Sequence, residues 1–126
     1  MAGASEQLHE ERSVLDPTTI DRHRAIVSLQ EELEAVDWYD QRVDAAGDPE
    51  LREILAHNRD EEKEHAAMVL EWLRRRDATL DEMLRTYLFT EGDILGIEEA
   101  EQAGEAGVTA GATASSGSLG IGSLKE

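Results

Sequence analysis

Residues 48–76 read DPELREILAHNRDEEKEHAAMVLEWLRRR, and the punctuation and patterning of this stretch decide the fold. Asp48-Pro49 is a helix start: the aspartate offers an acceptor to the free amides of a first turn, and the proline ring presets φ at the first helical position. Taken at about 100° per residue, Leu51, Ile54, Leu55, Ala66, Val69, Trp72 and Leu73 form one apolar stripe. Arg74, Arg75 and Arg76 end the run with charges that suit the negative end of a helix dipole. The spacing predicts a single helix over this whole stretch.

Upstream, Asp16-Pro17 repeats the start signal, and Gly47 is a helix stop. Between them Ile26, Leu29, Leu33, Val36 and Val43 recur with helical period, so a first helix is expected from Pro17 to Ala46. A link of one residue at Gly47 forces the two helices into an antiparallel hairpin. Downstream, Thr79-Leu80-Asp81-Glu82 has the form of a capping box before a short third helix ending near Leu88. No strand pattern and no internal repeat is visible. The fold class is all-α.

Eight of the ten glycines lie beyond residue 90, in a stretch of Gly, Ala, Thr, Ser and Glu without apolar period. The expected organisation is a polar segment at 1–16, the hairpin with its short third helix at 17–92, a flexible linker at 93–116 and a terminal peptide at 117–126. The helical part is too small to cover its own seam. Two helices of about 28 to 30 residues, each about 42 to 45 Å long, expose more apolar surface than one hairpin buries. A second copy is expected to close a four-helix bundle.

The 126 residues carry 12 Lys and Arg against 29 Asp and Glu, a formal charge of −17. With no basic stripe, neither nucleic acid nor an anionic membrane is an expected partner. The absence of cysteine excludes disulfides and thiolate chemistry and leaves carboxylates and four histidines as metal ligands. No export signal or membrane span is readable, so a cytoplasmic location is the expectation.

Helix 2 carries titratable groups inside its apolar stripe. With Leu51 at zero, Glu62 falls near 20°, Asn58 near 340° and His65 near 320°, by the helical rotation of about 100° per residue. An unpaired buried carboxylate costs several kcal/mol, and a cation is its natural partner. Glu62-Lys63-Glu64-His65 is a Glu-x-x-His, in which residues three apart project side by side and can converge on one ion. The pattern alone is weak, since Glu6-Gln7-Leu8-His9 also matches it. Only the Glu62–His65 match lies on an apolar stripe.

Glu32 lies on the flank of the helix 1 stripe, whereas Glu31 and Glu34 point away. Glu32 and Glu62 stand about equally far from the turn, hence at similar heights in an antiparallel hairpin. One chain therefore offers one Glu and one Glu-x-x-His, half of the set that di-iron carboxylate bundles take from four helices. Two chains would complete it. A buried Glu–His pair that only fixes bundle register remains open on these residues.

The segments 23–28, Glu31-Glu32-Leu33-Glu34-Ala35-Val36-Asp37-Trp38-Tyr39, 58–66 and 85–91 resemble the encapsulated ferritins. Gly117-Ser118-Leu119-Gly120-Ile121-Gly122-Ser123-Leu124 is similar to the peptide by which such cargo binds the inner wall of an encapsulin shell. The resemblance implies a ferroxidase that oxidises Fe(II) with O2 at a di-iron site of Glu32, Glu62 and His65 from both chains. It implies Tyr39 near that site, and a metal-entry region of Glu31 and Glu34 with Trp38 close by. It also implies an annular decamer built of dimers inside an encapsulin nanocompartment, which stores the oxidised iron. A structural adaptor, or another dinuclear carboxylate enzyme such as a rubrerythrin-like or manganese protein, is the alternative.

Overall fold

Pro17 and Pro49 both stand at the first helical position that their fixed φ favours, and the two long helices they open form the hairpin. The computed structural model describes residues 7–111, with side chains described to residue 105. A 3-10 turn at Arg12–Val14 precedes α1 (Pro17–Ala45) and α2 (Pro49–Arg75), and α3 (Ala78–Tyr87) and α4 (Ile94–Gly111) follow. The described residues contain helices and no strand, and α1 and α2 pack side by side as an antiparallel pair. This is the ferritin-like, all-α class expected.

The chain divides into residues 1–76 and 77–126. In the first unit, Asp48 caps α2 as expected, its Oδ2 accepting from Leu51 N at 2.8 Å. Asp16 occupies the corresponding N-cap of α1 without a side-chain cap bond, so the proline alone starts that helix. Gly47 is not the stop that its type suggests. The C-cap is Ala46 in extended conformation, and Arg52 Nε reaches back to the Val43 carbonyl at 3.1 Å, satisfying one of the free acceptors of that helix end. Across the hairpin, Arg59 Nη1 binds Asp40 Oδ1 at 3.1 Å. At the far end of α2, Arg74 and Arg75 each bind Glu71 at 2.7 Å, holding its carboxyl down to about 2. Arg76 stacks 4.2 Å over Trp72 and donates to its carbonyl.

The packing differs from the expected stripes on α1. Leu29, Val36 and Val43 are half-buried, but Ile26 and Leu33 are exposed, and on α2 so are Leu51 and Ile54. Only Ile20, Ala66 and Leu73 among the hairpin's apolar residues are buried. Helix α1 is apolar on more than one side, so a second helix covers part of it and leaves Ile26 and Leu33 bare.

In the second unit, α3 begins two residues earlier than expected. Its N-cap is Asp77, which accepts from Leu80 N at 3.0 Å, and Thr79 lies inside the helix. The chain leaves α3 through Phe89, a fully exposed residue at φ 63°, and Thr90 Oγ1 closes the turn on the Tyr87 carbonyl at 2.8 Å. Residues 94–111, expected within a flexible linker, are helical. Asp93 caps that helix by accepting from Gly96 N at 2.8 Å, and the alanines and glutamates that follow are strong helix formers. The terminal peptide Gly117–Leu124 lies outside the described residues.

Candidate metal centre

Helix α1 supplies Glu32 and α2 supplies Glu62 and His65, and the equal distances of Glu32 and Glu62 from the turn bring them to one level. One ligand atom from each lies within 4.8 Å of the others. His65 Nδ1 stands 3.3 Å from Glu62 Oε1 and 3.6 Å from Glu32 Oε1. Both carboxylates are about three-quarters buried, with 25% and 24% of their side-chain surface exposed, while His65 retains 41%. The cluster is therefore open on one side.

Three ionisable groups this close govern one another's charge. Hydrogen bonding between the neighbouring Glu32 and Glu62 carboxyl groups couples their titrations. That bond, followed by burial, raises Glu32 above the ordinary carboxylate range. The same bond lowers Glu62, with His65 adding to the effect. The hydrogen bond to Glu62 raises His65, and the Coulombic field of Glu32, Glu62 and Glu61 adds to it. The two carboxyls are thus pushed apart in acidity, Glu32 toward its protonated form and Glu62 toward its charged form beside the imidazole. A divalent cation could take two oxygens and one nitrogen from these groups, a donor set that suits iron.

The remaining expected residues, Glu31, Glu34, Trp38 and Tyr39, are all on α1. Glu31 is exposed and Glu34 half-buried, and neither is among the three groups within 4.8 Å. Trp38 is exposed and lines a shallow hollow with Gln41, Arg42 and Ala45. Tyr39 is half-buried, with the Arg42 guanidinium 5.4 Å over its ring. Glu61, which sequence reasoning missed, places Oε1 4.0 Å from His65 Nε2 and Oε2 3.8 Å from His57 Nε2. It projects off the apolar stripe and so escapes a wheel argument. The signal that finds it is the spacing of four on either side, His57, Glu61, His65.

An antiparallel pair of long helices with a Glu on one and a Glu-x-x-His on the other is half of a ferritin-like carboxylate bundle. The EncFtn-like family model matches residues 7–91, and the chain belongs to that family, the encapsulated ferritins. It is 67% identical to the Encapsulated ferritin-like protein of Rhodospirillum rubrum, over 99% of this chain and 92% of that one. It is 37% identical to the Encapsulin nanocompartment cargo protein EncC of Myxococcus xanthus over 40% and 39% of the two chains. The crystal structure of protein ne0167 from Nitrosomonas europaea superposes with a TM-score of 0.67 at 61% identity, covering 69% of this chain and 96% of that one.

Proposed function

We infer that the protein is a ferroxidase, binding Fe(II) between two chains and passing its electrons to O2. The observation that carries this reading is the convergence of Glu32, Glu62 and His65 from two helices on a space one ion wide. Ferritin-like membership supports iron chemistry. The exposure of Ile26, Leu33, Leu51 and Ile54 supports a second hairpin packed on the first. Two chains related by a dyad contribute four glutamates and two histidines. Glu32, Glu62 and His65 of both chains would hold the iron pair, and the pair would supply the redox chemistry.

The side chains contribute in separable ways. Carboxylate oxygens are hard donors and favour Fe(III) over Fe(II), which promotes oxidation; the imidazole nitrogen helps to hold the ferrous ion first. Two Fe(II) would supply two electrons, which with two protons from solvent reduce one O2 to hydrogen peroxide, and no covalent intermediate with the protein is required. Tyr39 lies along α1 from Glu32 and is assigned a supporting place beside the site. Glu31, Glu34 and Trp38 form the entry region. The 22 acids against 11 bases in residues 1–90 give a field that concentrates dications there.

The family and its relatives' names also support a cargo role within an encapsulin nanocompartment in the cytoplasm. Gly117–Leu124 then docks on the shell, the shell stores the oxidised iron, and the dimers assemble into an annular decamer. Among the described residues no helix is long and apolar enough to cross a membrane.

Fe(II) oxidation by the wild-type chain, compared with Glu32→Ala, Glu62→Ala and His65→Ala, tests the reading. Loss of oxidation in all three is expected. Unchanged rates in all three end it. The satisfied His65–Glu62 contact also suits a pair that only fixes helix register; on that alternative, metal chelation leaves the oligomer and its melting temperature unaltered.

A further inference from the structure

Asn58 stands on the apolar stripe of α2, and the iron chemistry makes no use of it. The residue is half-buried, yet no hydrogen bond to its amide is seen among the described residues. An Asn side chain has two N–H donors and a carbonyl acceptor to satisfy, which is why Asn is mostly kept out of apolar surfaces.

The burial pattern around α2 shows which way the amide faces. At about 100° per residue from Leu51, the buried Ala66 and Leu73 fall at about 60° and 40°, the side packed within the hairpin. Leu51 and Ile54, 45% and 51% exposed, fall at about 0° and 300°. Asn58 falls between them at about 340°, one turn before Glu62. His65, at about 320° and 41% exposed, shares that sector. The open side of the metal cluster and the uncovered side of the stripe are therefore one surface, with Asn58 inside it.

A second copy of the chain is the occupant this surface fits. Leu51 and Ile54 call for apolar cover, and the same stripe turned about a dyad supplies it. The half-set of Glu32, Glu62 and His65 calls for the same partner. Closure shuts the Asn58 amide away from water, and its own hairpin gives it no bond. Apolar contacts are non-directional and tolerate a slip of one turn. A buried amide satisfied in only one alignment penalises the others, as a single Asn does in an apolar helix seam.

Resting on the two-chain reading of the metal site, we propose that Asn58 hydrogen-bonds across the interface to the second copy and so fixes the register in which the two Glu32–Glu62–His65 sets meet. It is a positioning residue and not a ligand. A slip of one turn would carry one set about 5.4 Å past the other.

The test is pulsed EPR on the full, Zn(II)-loaded chain carrying a spin label at Glu53→Cys, with Asn58 intact and with Asn58→Leu or Asn58→Asp. The chain has no cysteine of its own, and Glu53 is exposed about 140° around α2 from Asn58. With Asn58 intact, one narrow shortest distance between chains is expected. Asn58→Leu, close in volume, should keep the pairing, broaden or split that distance, and weaken Zn(II) binding about 10-fold, as when a tenth of the pairs hold the competent register. Asn58→Asp puts a charge where the proposal buries an amide and should loosen pairing about 10- to 100-fold by sedimentation. An unchanged distance or an unchanged Zn(II) affinity in Asn58→Leu overturns the proposal, as does wild-type pairing in Asn58→Asp. Complete loss of pairing in Asn58→Leu also overturns it, because the residue then holds the copies together without selecting their register. Wild type that pairs but takes up no Zn(II) defeats the metal-centre reading instead, and the distances alone then decide the register role. Wild type that stays monomeric overturns both.

Discussion

Glu32 of α1 and His65 of α2 approach to 3.6 Å across the hairpin, although they are far apart in sequence and Glu62 is His65's helical neighbour. A contact of this kind depends on the register of two long helices. A slip of one residue in either rotates a ligand about 100° out of the cluster. The site and the hairpin are therefore a single structural fact.

Protons compete with metal at this cluster. Glu32 and His65 are both raised above their ordinary values, so a cation binding there should compete with protons more strongly than at free side chains. Co(II) or Zn(II) affinity should rise with pH through the His65 titration, above its ordinary value of about 6.5. The stability of the metal-free protein runs the opposite way. A group whose folded pKa is raised stabilises the fold while protonated, so the His65 contribution is complete below its unfolded pKa and lost as pH rises through the folded one. Thermal melts across this range, with and without Zn(II), should show opposite slopes. His65→Ala should flatten the metal-free curve.

The acidic approach should act on capture and not on chemistry. Glu31→Ala with Glu34→Ala is expected to raise the Fe(II) concentration needed for half-maximal oxidation and to leave the saturated rate near wild type. Added salt should shrink the difference, since exposed charges are screened over about 10 Å at 0.1 M ionic strength. Initial rates at low and high salt, over a range of Fe(II), check it. A fall in the saturated rate alone would place these residues at the reacting centre.

The two N-caps look alike as sequence and differ in structure. Asp48 Oδ2 accepts from Leu51 N, whereas the Asp16 side chain caps nothing. Asp48→Ala should therefore lower stability by about 1 kcal/mol, and Asp16→Ala much less. Denaturant titration of the assembled protein with each variant distinguishes them.

The same contrast shows what was legible in the chain. Asp48-Pro49 sufficed for the hairpin turn, and a Glu-x-x-His on an apolar stripe sufficed for half the candidate site. Glu32 followed from its height above the turn. The face of α1 that meets α2 did not follow, because Ile26 and Leu33 are as apolar as Leu29 and Val36, and no single-helix pattern tells which apolar face meets its neighbour. Asp77 was hidden behind Thr79-x-x-Glu82, which has the same form two residues later. The α4 helix was obscured by its glycines, whose cost is met by the Asp93 cap and the run of alanine and glutamate. Glu61 lay off the stripe and is visible only through its distances to His57 and His65.

The central claim is that iron binds between two chains. Metal analysis across a gel-filtration profile, after anaerobic Fe(II) loading, tests this most directly. The account predicts iron with dimers or larger assemblies at one pair of ions per two chains, and none with monomer. Iron bound in full by the monomer, or an unchanged iron content in the assembly of Glu62→Ala, would contradict it.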